Sequence, residues 1–345
     1  MTEINDINIE YISKLTIPQE LREKYKLDKN LQKFIHESRQ TIQNILTGKD
    51  KRLLCIVGPC SVHNYNQALK YAHSLKQMKI KYKKTLFIVM RTYFEKPRTT
   101  VGWKGFINDP DLDNSFNINK GLDLSRKFWY NINKLGVPCG TEILDSITPQ
   151  YLADLLSWGA IGARTVKSQI HRQVSSGCSF PIGFKNSCDG SIEAAKCAII
   201  SAQNSHCFRG ISLTGEPSIC KTKGNKYGHI ILRGSYKNGP NYTRDYIKRY
   251  IEELSEIKTG IIVDCSHGNS NKNHKNQCKV IIDVAKQLTQ FTDKSGVRGI
   301  MLESNLKHGK QQLTRPSSLE YGVSITDSCI DLFETNSLLN ILANV

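Results

Sequence analysis

The sequence predicts an α/β fold, a (β/α)8 TIM barrel carrying an N-terminal extension and an inserted β-hairpin. Two observations carry that expectation. From Arg52 onward short apolar runs recur, each followed by a longer helical or mixed segment. Strands buried on both faces read as continuous apolar runs, and their alternation with helices means βα units in a parallel sheet. The runs also end repeatedly in an ionisable residue. In a closed barrel such strand ends converge on one mouth, whereas an open doubly wound sheet would spread them along a line.

Taken in order, residues 1–50 form the extension and 51–345 the barrel. Pro18 opens one helix, and Leu31, Phe34, Ile35, Ile42 and Ile45 recur at close to helical spacing in a second that ends at Leu46. These helices would cap one end of the barrel or reach across to another subunit. The runs follow. LLCIV closes on GPCS, FIVM on Arg91, VPCGT on Glu142, AIGA on Arg164 and PIGF on Lys185. HCFRGI and HIILR come next, the latter reaching Arg233; GIIVDC then leads to Ser266 and His267, and GIML ends at Glu303. More than eight runs are present, so a stretch around 206–233 is expected to be the inserted hairpin.

The 345 residues, 39% hydrophobic and 23% charged, suffice for one large core. No apolar run approaches the ~20 residues that span a bilayer, and the first residues, MTEINDINIEYISKL, lack the apolar centre of a secretory signal. A cytoplasmic protein with no membrane partner is expected. Eleven scattered cysteines without CxxC pairs suit reduced thiols, most of them core filler, better than a disulfide framework. The net charge of +17 could signal a polyanionic partner, but the lysines run from Lys14 to Lys310 without gathering on one helix. No zinc-finger spacing or aromatic RNA-binding motif accompanies them, so no nucleic-acid partner is expected.

The segment Leu86 to Gly105 places Arg91, Lys96, Arg98 and Lys104 with Thr99 and Thr100 just past a buried strand. Guanidinium forks and hydroxyls of this kind hold phosphates or carboxylates. A loop of ordinary surface ion pairs, each worth about 0–1 kcal/mol, is the plainer alternative. Sorted by charge, the strand ends give two sets. Arg91, Lys96, Arg98, Arg164, Lys185 and Arg233 outnumber what a single carboxylate or phosphate needs, and crowding them without a ligand costs several kcal/mol of repulsion. Cys60, His267, Glu303 and Asp327 offer thiolate, imidazole and carboxylates, a mixed set suited to a divalent Mn, Fe, Co or Zn ion. Singly, such a cysteine is filler and such a histidine merely hydrogen-bonded. Placed at the first, seventh and eighth strands, neighbours in a closed barrel, they read as a cluster.

With those residues located, the chain resembles the type I 3-deoxy-D-arabino-heptulosonate 7-phosphate (DAHP) synthases over roughly residues 5–340. The resemblance rests on GPCS (58–61), VMRTYFEKPRTTVGWKG (89–105), SWGAIGAR (157–164), PIGFKN (181–186), HIILRG (229–234), DCSHGNSNK (264–272), ESN (303–305) and YGVSITDSCI (321–330). It implies condensation of phosphoenolpyruvate with erythrose 4-phosphate, the first step of the shikimate pathway. By resemblance Arg91, Lys96, Arg164, Lys185 and Arg233 hold phosphoenolpyruvate, Arg98 and Thr99 meet erythrose 4-phosphate, and Cys60, His267, Glu303 and Asp327 bind the metal. Lys96, its pKa lowered by neighbouring cations, would protonate the aldehyde oxygen, and Glu142 would orient the water. The resemblance further implies a homodimer or homotetramer and feedback inhibition by an aromatic amino acid at Ile9, Pro149, Gln150, Ser179, Phe208 and Gly210. Relatives that prefer phenylalanine carry serine where this chain has Gly210, so space for a phenol oxygen and a preference for tyrosine are expected. The chain departs from the family after Arg164 (Val166, Lys167) and after Asn186 (Ser187, Cys188), and at 212–226 and 235–240. A catalytically impaired relative serving as a regulatory or interaction protein is the alternative; loss of a metal ligand would favour it, and none is lost.

Overall fold

The computed structural model describes residues 4–257, 259–291 and 296–345. Its strands are β1 (Leu53–Gly58), β2 (Leu86–Arg91), β3 (Cys139–Glu142), β4 (Trp158–Ile161), β5 (Ile182–Lys185), β6 (Cys207–Ile211), β7 (Pro217–Lys221), β8 (Gly228–Leu232), β9 (Ile261–Asp264) and β10 (Val297–Glu303). Eight of them close a parallel barrel in the order β1-β2-β3-β4-β5-β8-β9-β10, with β10 returning to β1. The remaining two, β6 and β7, pair antiparallel as a separate hairpin. The expected insertion is therefore real but shorter than 206–233. Gly228–Leu232 belongs to the barrel, bonded in parallel to β5 and β9 and buried along its whole length, while the hairpin strands alternate between exposed and half-buried residues.

The helices follow the predicted alternation: α1 (Pro18–Lys24), α2 (Lys29–Leu46), α3 (Tyr65–Lys81), α4 (Ile118–Lys134), α5 (Thr148–Leu152), α6 (Gln169–Gly177), α7 (Glu193–Gln203), α8 (Arg244–Glu253), α9 (Gln277–Phe291) and α10 (Leu332–Ala343). Among the described residues no helix is long and apolar enough to cross a membrane.

The extension closes one end of the barrel. Asp28 caps α2 by accepting from the Leu31 backbone N–H at 2.8 Å, and Gly48, at φ 76°, ends it in the left-handed conformation that glycine takes without penalty. Its last turn buries Ile42, Ile45 and Leu46 against Leu54, Ile56, Val89, Trp158, Ile231, Ile262 and Met301, the side chains that fill the barrel interior. Each such side chain is worth roughly 1.5–3 kcal/mol in removed apolar surface. A charge at Ile45 would unseat this plug. The other barrel end stays polar, and the ionisable strand ends gather there.

Five of the eleven cysteines, Cys55, Cys60, Cys139, Cys265 and Cys329, are buried, and none is in a disulfide. Cys188, Cys197 and Cys207 are exposed, so the reading of most cysteines as filler holds only for those on the barrel strands and beneath the mouth.

Candidate active site at the barrel mouth

Each of the predicted strand-end groups except Lys96, Arg98, Thr99 and Asp327 lies at or just past the C-terminal end of a barrel strand; those four sit on the loops that follow. Parallel pairing sets this arrangement, since all eight strands deliver their carboxyl ends to one rim.

Depth sorts the cations. Arg91, Lys185 and Arg233 are buried. Arg91 Nη2 meets Glu303 Oε1 at 3.1 Å, both side chains essentially free of solvent, and its guanidinium lies 3.9 Å from the centre of the Tyr93 ring. Lys185 Nζ is 2.9 Å from Asp264 Oδ2, and Arg233 donates to the Tyr236 hydroxyl at 3.1 Å. Arg98, Thr99 and Arg164 lie instead on the exposed rim. There Arg164 Nε donates to Thr99 Oγ1 at 3.1 Å, while Arg98 Nε is engaged by the carbonyl of Trp103 at 2.8 Å. Arg164 thus joins the loop of Arg98 and Thr99 at the rim, not the buried cations below it.

The second set converges as well. One ligand atom each from Cys60, Glu303 and Asp327 lies within 4.8 Å of the others. His267 joins through Glu303, with Nε2 3.8 Å from Oε1. Its backbone holds φ 54°, a strained left-handed value for a non-glycine residue, and its carbonyl accepts from the Lys272 N–H at 2.7 Å. Glu303 is further fixed by Ser266 Oγ at 2.6 Å and by Gln277, whose side-chain amide bonds both the N–H and the carbonyl of Glu303 at 2.9 Å. Burial would raise the Glu303 carboxyl, but His267, Arg91 and Lys96 outweigh it and hold the group below the ordinary carboxylate value. Burial and the charge of Glu303 push the Cys60 thiol up to about 11. A thiol and two carboxylates around one point, with an imidazole beside Glu303, are a donor set that a first-row divalent ion fits.

Lys96 corrects one expectation. Its Nζ sits 3.3 Å from Cys60 Sγ and 3.1 Å from the Cys60 carbonyl. Burial would lower its pKa, but Cys60, Glu303, Glu142 and Asp327 surround it with negative charge and raise it instead. The neighbours that matter are anions, not the cations that the sequence listed beside it. Glu142, at the end of β3, is buried, and its Oε1 has no hydrogen-bond partner. A Cβ on Gly162 would sit 2.2 Å from that oxygen, so only glycine there lets the carboxylate keep its place. The Tyr93 hydroxyl is likewise buried and unpartnered. Both atoms keep hydrogen-bonding capacity for a polar ligand in the mouth.

Two residues of the site were missed in the sequence. Asp264 closes the run GIIVD as plainly as Glu303 closes GIML, and only the histidine three residues on sets it apart from other strand ends. Tyr93 carried no signal beyond its proximity to Arg91.

A second cavity, of about 750 Å³, opens on the outer wall between α5, α6 and the hairpin. Pro149, Gln150, Ser179 and Phe208 line it. Ile9 does not; it lies on an exposed N-terminal segment with Ile4, Ile7, Tyr11 and Ile12. Gly210 also departs from expectation. The position of its missing Cβ is 2.4 Å from Gln150 Nε2 and 2.8 Å from Cys220 Sγ, so those two side chains already fill the space assigned to a phenol oxygen.

Comparison with known proteins agrees with this architecture. The DAHP synthetase I family matches residues 27–340. The chain is 45% identical over 346 residues to the Trp-sensitive phospho-2-dehydro-3-deoxyheptonate aldolase of Escherichia coli (strain K12), covering 100% of this chain and 98% of that one. It is 46% identical over 342 residues to the Phe-sensitive enzyme of the same strain, covering 99% and 97%. The solved structure of phospho-2-dehydro-3-deoxyheptonate aldolase from Francisella tularensis SCHU S4 superposes with a TM-score of 0.94 at 46% identity, over 98% of each chain. With the barrel, its mouth and these matches in agreement, the chain belongs to the DAHP synthetase I family.

Proposed function

We propose that the chain is a transferase that condenses phosphoenolpyruvate with D-erythrose 4-phosphate to DAHP and phosphate at the barrel mouth. The observation that carries this reading is the junction of two sets of groups, the Cys60–Glu303–Asp327 cluster and the cations Arg91 and Lys96, in a barrel of this family. An impaired relative would be expected to lack part of one set.

Arg91, Lys185 and Arg233 form the deep cradle for the phosphate and carboxylate of phosphoenolpyruvate, with Lys96 and Arg164 above. Arg98 and Thr99 receive erythrose 4-phosphate at the rim. Cys60, His267, Glu303 and Asp327 would hold a divalent metal, which supplies Lewis-acid polarisation of an aldehyde. As C3 of phosphoenolpyruvate bonds to the aldehyde carbon, Lys96 gives its proton to the developing alkoxide; its raised pKa keeps that proton in place until charge builds on the acceptor. C2, left cationic, takes water oriented by the free Oε1 of Glu142, which receives the proton that the water gives up. Loss of phosphate from the resulting hemiketal breaks the C–O bond and leaves the ketone.

The outer cavity takes an aromatic amino acid as feedback effector. Cations Arg22 and Arg39 and the amide of Gln150 offer partners to its polar end, and Phe208 to its ring. With the space at Gly210 filled, that position gives no selection for tyrosine over phenylalanine. The exposed apolar side chains of Ile4, Ile7, Ile9, Tyr11 and Ile12 favour a homodimer or homotetramer, in which Ile9 would reach the cavity from another copy. Free cysteines throughout the chain favour the cytoplasm.

The test follows loss of phosphoenolpyruvate absorbance in the presence of erythrose 4-phosphate. Activity that stops with a chelator and returns with Mn, Fe, Co or Zn is expected; turnover indifferent to chelation would refute the metal assignment. In ¹⁸O-labelled water the released phosphate should carry no label, and incorporation would refute C–O cleavage.

A further inference from the structure

We propose that Asp264 is a positioning residue whose single carboxylate ties the phosphoenolpyruvate cradle to the metal-ligand cluster, so that occupancy of one is felt at the other. This rests on the functional reading above and assigns a residue that the reading does not use.

Asp264 ends β9 and is fully buried. Its Oδ2 lies 2.9 Å from Lys185 Nζ, at the end of β5, and 2.9 Å from His267 Nδ1, three residues further along the chain. Oδ1 accepts from the Ser266 N–H at 3.0 Å, and the Asp264 carbonyl accepts from Asn269 Nδ2 at 2.9 Å. The carboxylate is therefore pinned from behind, with one oxygen shared by a substrate-binding lysine and a metal-binding histidine.

Neutralising Lys185 alone would not require that sharing. The loop holds His267 at φ 54°, and the conformation sets Nδ1 against Asp264 while Nε2 faces Glu303. Nδ1 is buried and lies 2.9 Å from the Asp264 oxygen. A histidine that ligates through Nε2 needs its proton on Nδ1, and a carboxylate behind Nδ1 selects that tautomer and orients the ring. When the imidazole yields electron density to a cation, its Nδ1–H draws harder on Oδ2. The same oxygen faces the Lys185 ammonium, so a ring steadied by a cation also steadies the ammonium that meets the anion in the cradle.

The test uses the full chain with Asp264→Asn, which keeps the shape and removes the charge. Co²⁺ binding is followed by the Cys60 thiolate charge-transfer absorbance, and phosphoenolpyruvate binding by calorimetry at saturating Co²⁺. Co²⁺ affinity is expected to fall about ten- to a hundredfold, and phosphoenolpyruvate affinity to fall about tenfold, the loss of one charge-assisted contact from a displaced Lys185. Near-ultraviolet circular dichroism should be unchanged. If either affinity stays within a factor of two of wild type, the bridging role is overturned. Failure of the wild-type protein to bind Co²⁺ or phosphoenolpyruvate would instead overturn the functional reading, and Asp264's role with it. Should the variant not fold, ¹⁵N-histidine spectra of metal-free wild type decide the matter, with His267 identified by signal loss in His267→Gln. The Nδ1–H tautomer is expected, and the Nε2–H tautomer would overturn the proposal.

Discussion

At the mouth of the barrel, charged side chains sit buried and cross-braced. Arg91 faces Glu303, Lys185 faces Asp264, and Ser266 and Gln277 hold Glu303 from its remaining sides. The cavity on the outer wall is assembled differently, from a short helix, a loop and a hairpin whose strands are partly exposed. One region is organised by the hydrogen bonds of a closed sheet, the other by loosely coupled surface pieces. Alterations at the mouth should therefore act on chemistry and be severe, while alterations at the wall should act on regulation and be graded.

The largest effect is expected at Glu303. Glu303→Gln removes a proposed ligand and leaves Arg91 buried opposite a neutral group, so kcat/KM should fall by at least ~10³-fold, measured by phosphoenolpyruvate consumption at saturating metal. Glu142→Gln should cost about 10²-fold in kcat with a smaller change in KM, since the group is assigned to the reacting water and not to substrate binding. A loss confined to KM would move Glu142 into the cradle.

A stability measurement probes the connection between the two regions. Glu95, next to Lys96, bonds Thr148 of α5 at 3.3 Å and is buried; burial and the charge of Asp145 push its carboxyl up to about 8. The folded state thus binds a proton that the unfolded chain releases near the ordinary value of 4.5. This contribution to stability is complete below that value, declines as pH rises through the window, and is gone above about 8. Glu95→Gln should flatten this decline and raise Tm relative to wild type at pH 8.5. Equal slopes of Tm against pH would show that Glu95 ionises without cost.

The smallest effect is expected at the wall. A Cβ on Gly210 displaces Gln150 Nε2, the flexible end of a side chain. Gly210→Ser should therefore raise the effector concentration for half-inhibition several-fold. A rise of a thousandfold would mean that the wall is as tightly braced as the mouth.

The same contrast explains what could be read from the sequence. Strand ends were legible because buried parallel strands are continuous apolar runs, and the first ionisable residue after each run marks the rim. That rule located Arg91, Glu142, Lys185, Arg233 and Glu303 and implied their convergence. It could not tell HCFRGI, on a half-exposed hairpin, from HIILR, on a barrel strand, because both are short and apolar. Nor could it give the sign of the field at Lys96, which depends on side chains from four separate loops and strands, or the filled space at Gly210, which depends on Gln150 and Cys220. Contacts across unrelated segments leave no periodic mark in a sequence.

The plug formed by Ile42, Ile45 and Leu46 makes the barrel a vessel with a single door. Whatever is to lie on the deep cations Arg91, Lys185 and Arg233 must pass Arg98, Thr99 and Arg164 before anything settles on them. On the proposed assignment, phosphoenolpyruvate has to load first and the sugar phosphate second, and initial-rate kinetics should show a compulsory order instead of random entry.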